Sequence, residues 1–240
     1  MKLSPLDRAL SYPYHCPEHS FVIADGRAIP ISEIDPENLL ASRIGERSIS
    51  EHFPEWNPVA KVVACGSNRA PAQLLRKFGS KWPAPVLSVR AQLMGWDVVR
   101  SAHITSYGTI PAALIPSPGA TVAISLQLLD EQSLERMRRT EAVGINYSYE
   151  AIDGIVLAEA SISNCTVYRG LHGHLQLDGP QAFAEIECTG RQLPEMNQPE
   201  LLRKVQQMLS PELSLESWIT YAQAKREHRL QITAQLKDLS

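Results

Sequence analysis

KVVACGSNRAPAQLLRKFG, residues 61–79, decides how the rest of the chain is read. The apolar run Val62–Cys65 has the length of a short buried strand, the following Gly66-Ser67-Asn68-Arg69 is turn-forming, and the leucines and alanines up to Gly79 suit a helix with a glycine stop. The stretch is therefore expected to be strand, tight turn and helix. A glycine that closes a strand and opens a helix lets backbone approach a ligand, and the first free N–H groups of the helix can face an anion such as a carboxylate. A turn of Gly, Ser and Asn used only for chain reversal and capping has the same sequence, so both readings stand on this stretch alone.

Downstream, residues 85–102 (PVLSVRAQLMGWDVVRSA) read as extended structure broken near Gly95. In TVAISLQLLD, Val122, Ile124, Leu126 and Leu128 alternate with Thr121, Ala123, Ser125 and Gln127, which predicts a half-buried strand. Asp130 then caps a helix with Glu131 in its first turn and Leu134 and Met137 as its apolar stripe. Two hairpins are expected, turning at Asp153-Gly154 and at Asp178-Gly179. From about Gln198 the pattern is helical (PELLRKVQQML, then LESWITYAQAKREHRLQITAQLKDL). Upstream, residues 1–58 are rich in proline and turn formers, with one short helical candidate at Pro36–Arg43, and read as an irregular arm. The organisation expected is an arm (1–58), a strand-rich body (59–197) and C-terminal helices (198–240) that share its hydrophobic core.

The composition is that of an ordinary globular chain: 240 residues, 44% hydrophobic, 20% charged. A chain of this length buries about 70% of its unfolded surface, so neither metals nor disulfides are required for stability. Lys and Arg (23) nearly balance Asp and Glu (26), with a net charge of -3 and no long basic run, which removes the electrostatic motive for nucleic-acid binding. No apolar stretch approaches the roughly 18 residues of a membrane span, and the first residues lack the apolar centre of a signal peptide. A cytoplasmic protein with reduced, scattered cysteines (Cys16, Cys65, Cys165, Cys188) is the expectation.

Glu141 follows Leu134 by seven positions, which returns it to the inward face of the helix where an apolar residue would be expected. A partly desolvated carboxyl there can exchange protons near neutral pH. If the helix instead ends at Arg139 or Thr140, Glu141 swings into solvent or pairs with Arg138.

In order and spacing over roughly residues 59–155, these segments resemble the gamma-glutamylcyclotransferase-like family. That family has a strand running into a Tyr-Gly-Ser turn, represented here by Cys65-Gly66-Ser67-Asn68. A glycine, an apolar strand and a Pro-Gly turn follow (Tyr107 to Gly119), then a strand (Val122–Leu129), a helix ending in a glutamate (Leu134–Glu141) and a tyrosine (Tyr147 or Tyr149).

The resemblance implies an α+β fold, a small mixed β-barrel with flanking helices and a pocket at its mouth. It implies a turn (Gly66, Ser67, Asn68) that holds the amino-acid end of a gamma-glutamyl group, with Glu141 as general acid/base. The reaction implied is intramolecular aminolysis of a gamma-glutamyl amide, releasing 5-oxoproline and an amine, with a small-molecule substrate, no nucleic acid or membrane partner, and no cofactor or metal. The chain departs from the family at Cys65, where an aromatic residue is usual, so that pocket wall is absent or comes from elsewhere, with Tyr107 and Tyr147 as the candidates. The arm and the region after about Ser161 have no counterpart in a minimal family member.

Other constellations compete. A non-catalytic small-molecule-binding or scaffold protein on the same fold accommodates the loss of the aromatic. Cys65, before a helix N-terminus, is a candidate nucleophile with His103, His172 or His174 as base, which would make an amidase. His172 with His174, or His15 with Cys16 and His19, are the only groupings from which a metal site can be drawn, against a plain reading as surface histidines. Arg136, Arg138 and Arg139 read as a solvated helix face, with Arg139 or Arg169 able to meet a substrate carboxylate. Trp82, Trp96 and Trp218 read as packing residues.

Overall fold

A computed structural model describes residues 4–239. From the amino end the chain forms helix α1 (Pro5–Leu10), strands β1 (Phe21–Ala24) and β2 (Arg27–Pro30), a separate pair β3 (Arg43–Ile44) and β4 (Arg47–Ser48), and the one-turn helix α2 (Ile49–His52). Strand β5 (Ala60–Ala64), a 3-10 turn (Ser67–Arg69) and helix α3 (Pro71–Phe78) follow, then the long strands β6 (Val86–Arg100) and β7 (Ala112–Leu129) and helix α4 (Glu131–Thr140). Next come β8 (Tyr147–Ile152), β9 (Ile155–Leu157), β10 (Ala160–Ile162), β11 (Cys165–Gly170) and the short β12 (Ala182–Phe183), β13 (Cys188–Thr189) and β14 (Glu195–Met196). Helices α5 (Gln198–Leu209), α6 (Leu215–Ala224) and α7 (Arg226–Lys237) close the chain.

The architecture is mixed α+β: helices around one large sheet whose main path runs β10-β9-β6-β7-β5-β11-β8. β6 and β7 form the long antiparallel spine, and Gly95, with a positive φ of 78°, sits at the register shift between Met94 and Trp96. That shift bends the sheet. β11 runs parallel to β5, which makes the sheet mixed.

The expected hairpin at Asp153-Gly154 does not form. β8 pairs with β11, whereas β9 pairs with β6 and β10, so consecutive strands lie near opposite ends of the path. In a flat sheet they would stand five strand spacings apart, about 24 Å. Three Cα–Cα steps from Ile152 to Ile155 reach at most about 11 Å. The sheet must therefore curl until its two ends are neighbours, although no ladder between β8 and β9 is among the strand pairs of the described residues. The hairpin moves one strand along, to β9–β10, where Ala158 and Glu159 take positive φ (45° and 70°). At Asp178-Gly179 the chain does turn, but only one bridge, Gln176↔Pro180, forms, and β12 pairs with β6 and β14 instead.

Residues 1–58 hold more regular structure than their composition suggests. β1 pairs with β6 from Phe21↔Ser88 to Ile23↔Val86, and Tyr12, Val22 and Ile49 are buried in the core inside the curl with Val89, Ile124 and Leu126. The helix expected at Pro36–Arg43 is absent. Asp35 Oδ1 accepts the N–H groups of Glu37 (3.0 Å) and Asn38 (2.9 Å) as a helix cap would, but Asn38 Oδ1 takes the Leu40 N–H (3.2 Å), a donor that a helix from Pro36 would direct to the Pro36 carbonyl.

A second core lies under α3 and α4, where Leu74, Phe78, Leu134 and Met137 meet Phe21, Val62 and Leu129. It covers the polar face of β7, which is why Ser125 and Gln127 are buried and this strand is not half-exposed as its alternation suggested. A third core joins α1 to the C-terminal helices through Ala9, Leu201, Val205, Trp218, Ile219 and Leu236. The long C-terminal pattern breaks at Lys225, which is extended (φ -142°, ψ 154°), and the Arg229 guanidinium donates to the carbonyls of Ala222 (3.3 Å) and Lys225 (3.1 Å) at the break. Buried Arg100 of β6 ties α5 to the sheet by donating to Met196 O at 2.6 Å and to the side chain of Gln198.

Gly154 holds the link that forces the curl. Its φ is +88°, and a Cβ there would lie 2.9 Å from Met94 O. Gly154→Ala should cost about 1–3 kcal/mol, lowering the thermal midpoint by about 2–4 °C per kcal/mol in a chain of this size. An unchanged midpoint by differential scanning calorimetry would contradict the constrained link.

Candidate functional site

The site begins where β5 ends. Gly66 takes φ -113° and ψ -135°, and a Cβ on it would stand 2.6 Å from Tyr12 Oη and 3.0 Å from Ala112 Cβ, so this place in the fold has no room for a side chain. The 3-10 turn is closed by Arg69 N–H to Gly66 O (3.1 Å) and Ala70 N–H to Ser67 O (3.0 Å). From the buried face of β7, Gln127 Nε2 donates to Asn68 O at 2.8 Å. The polar positions of that strand thus hold the turn in place.

Glu141 is the C-cap of α4 (φ -85°, ψ -6°); its N–H donates to Met137 O at 2.9 Å, and Ala142 (φ 51°) then turns the chain away. The helix does end at Thr140, yet the carboxylate turns inward rather than to solvent or Arg138, whose guanidinium lies 4.5 Å over the Tyr149 ring. Asn68 Nδ2 donates to Glu141 Oε1 at 2.9 Å, and Lys77 of α3 forms an ion pair with the same oxygen. The two side chains of that pair are 8% and 14% exposed. Both donors also face Met137 Sδ, at 3.6 Å from Asn68 and 3.4 Å from Lys77. The expectation of a partly desolvated carboxyl left out this ammonium. The signal for Lys77 was present: it lies three residues after Leu74 and beside Phe78, on the face that α3 buries.

Gly66, Ser67, Asn68, Lys77 and Glu141 line one cavity of about 580 Å³. Cys65, Tyr107 and Tyr147 line it as well, so the turn, the glutamate and both candidate pocket-wall tyrosines meet there, whereas Tyr149, the alternative to Tyr147, is not in the lining. The arm and the C-terminal helices contribute Tyr12 and, from α7, Arg226, Leu230 and Thr233. The aromatic hydroxyl standing against Gly66 belongs to Tyr12, which accepts the Ala112 N–H at 2.9 Å. Burial pushes the Tyr12 hydroxyl well above its usual pKa, and Tyr147 is raised by burial and then by the charge of Glu141. Tyr107 is stacked under the Arg8 guanidinium at 3.6 Å.

Cys65 is buried, and burial pushes its thiol up to about 11, which opposes the helix-terminus effect expected of a nucleophile. Among the described residues no histidine makes a hydrogen bond or ring contact with it: His174 Nε2 lies 3.2 Å from Leu114 O, while His103 and His172 face each other with ring centroids 4.3 Å apart. His103 bonds Ser101 Oγ at 2.8 Å and is pushed down to about 3 by burial and by its histidine neighbour. His172 Nε2 lies 2.9 Å from Asn146 Oδ1, burial lowers its pKa, and its Nδ1 is buried without a partner. The sequence offers His103 and His172 singly, as bases for Cys65 and, for His172, as a metal ligand beside His174, and gives no sign that the two imidazoles pair in the cavity wall.

The remaining candidates disperse. No three His, Cys, Asp or Glu residues gather into a metal-binding group among the described residues. Arg169 lies 4.5 Å over Trp96, Arg139 is 3.9 Å from Glu135, and Trp82 and Trp218 pack in cores. No described helix is long and apolar enough to cross a membrane.

No family model and no curated protein matches the chain. Among solved structures, one titled gamma-glutamyl cyclotransferase aligns over 75% of this chain and 88% of its own, with a TM-score of 0.40 and 13% sequence identity.

Two outcomes follow from the geometry. Burial, which pushes the Cys65 thiol up to about 11, keeps it protonated at pH 7.5. Peptide mapping should find Cys65 unmodified by iodoacetamide in the folded protein, and rapid stoichiometric labelling would contradict its burial. Lys77→Met leaves the Glu141 carboxylate without its counter-charge and should destabilise the fold by about 2–4 kcal/mol in urea titration, whereas a loss below about 0.5 kcal/mol would mean that the pair is solvated.

Proposed function

We propose that the cavity binds a gamma-glutamyl amide and cyclises it, releasing 5-oxoproline and an amine. The observation that carries this reading is the direct contact of Asn68, in the glycine turn, with Glu141 in the lining of a cavity roomy enough for a dipeptide-sized ligand. The motif order that resembles the gamma-glutamylcyclotransferase-like family supports it.

In this reading the substrate's amino-acid end lies at the Gly66–Asn68 turn, whose first N–H groups lack intrahelical partners. The alpha-nitrogen, once deprotonated, attacks the gamma-carbonyl carbon and forms the ring C–N bond. The bond to the departing nitrogen breaks. Glu141 accepts the proton from the attacking amine and delivers it to the leaving nitrogen, so no net proton is consumed. Both reacting groups belong to one molecule, and holding them in contact is worth on the order of 7–11 kcal/mol. Asn68 and Lys77 act as positioning residues that fix the carboxylate.

A second reading, a small-molecule-binding protein without turnover, is favoured by the Lys77–Glu141 pair itself, because Oε1 of the carboxylate is already engaged by both Lys77 and Asn68. Glu141→Gln separates the two. Under the catalytic reading the variant loses at least about 100-fold in 5-oxoproline release while still binding the substrate. Turnover that survives the substitution, or an absence of 5-oxoproline from the unaltered protein with any gamma-glutamyl amide that it binds, would decide for the second.

A further inference from the structure

The cavity lining includes polar groups withdrawn from water and apolar groups exposed to it. Its floor is polar and withdrawn from water: Asn68, Lys77 and Glu141. Its mouth carries Ile145 and Leu230, which line it and yet are 65% and 57% exposed. Two more exposed apolar residues flank them, Val143 in the same turn as Ile145, and Leu171, whose N–H donates to Asn146 O at 2.9 Å. Two of the seven large hydrophobic side chains exposed among the described residues thus line this cavity, and two more are tied to its lining by the Val143–Ile145 turn and by the Leu171–Asn146 bond, where scattered single residues would be ordinary.

We infer that this mouth is the leaving-group site, and that the amine released there carries a branched aliphatic or aromatic side chain. This rests on the reading of the floor as the gamma-glutamyl site.

Two further lining residues agree. The His103–His172 pair is held neutral by burial, so it adds no charge to the cavity. The charges near this end are cationic. Arg226 lies at the rim, Arg229 is engaged by backbone carbonyls, and the field of Lys237 reaches both histidines. A leaving group with its own ammonium meets repulsion there as well as an apolar surface.

The test compares kcat/KM for 5-oxoproline release by the full chain from gamma-glutamyl-leucine, -phenylalanine, -serine and -lysine. Leucine and phenylalanine should exceed serine and lysine by on the order of 10–100-fold. Leu230→Ser and Ile145→Ser should each lower the leucine-to-serine ratio by about 5–10-fold. Serine or lysine matching leucine, or ratios unmoved by both substitutions, would overturn the inference. Calorimetric binding of the same four compounds to the Glu141→Gln variant separates it from the catalytic reading. If nothing is turned over but leucine still binds more tightly than serine, cyclisation fails and the apolar site stands. Equal or absent binding with no turnover overturns both.

Discussion

A lysine ammonium and a glutamate carboxylate, both largely withdrawn from water, meet at the floor of the cavity, and much of the molecule is arranged so that they can. Desolvating two charges is expensive unless geometry and further hydrogen bonds offset it. Here the offset comes from three separate elements: Lys77 from the buried face of α3, Glu141 from the cap of α4, and Asn68 from the turn between β5 and α3. Gln127 in turn secures Asn68 from β7. Each depends on the core beneath, because α3 and α4 lie correctly only while Leu74, Phe78 and Met137 fill the space over β5 and β7. The packing and the site are therefore one problem.

The curl of the sheet solves a second constraint. A two-residue link between strands near opposite ends of the path brings the far ends of the sheet together. Residues on distant strands then face one cavity: Tyr12 from the arm, His103 beyond β6, Tyr147 on β8 and the α7 residues all line it with Glu141. The segments flanking the region of family resemblance are thus walls of the site. A small core motif gains its pocket by being wrapped from both ends, which also makes the ligand class depend on residues outside that motif.

Local pattern was legible in the sequence where local physics decides. The strand, turn and helix of residues 61–79 and the inward return of Glu141 depend on periodicity and capping over a few residues, and the chain adopts them. What was not legible comes from contacts between residues remote in sequence. Tyr12 reaches Ala112 and Gly66 only after folding, and an Asp-Gly pair marks a turn without saying which strand follows beside which. Ser125 and Gln127 look like a solvent face because their alternation carries no record of the helices laid over them. Lys77 is hidden differently: a basic residue in a last helical turn already has an explanation in the helix dipole, which masks its burial.

The most direct measurement is a crystal structure of the full chain soaked with 5-oxoproline, the product the site should retain. The account predicts electron density for the ring in the cavity between the Gly66–Asn68 backbone and the Glu141 carboxylate, within about 3.2 Å of both. Product bound elsewhere, or a cavity left empty at saturating concentration with the Lys77–Glu141–Asn68 contacts undisturbed, would contradict it.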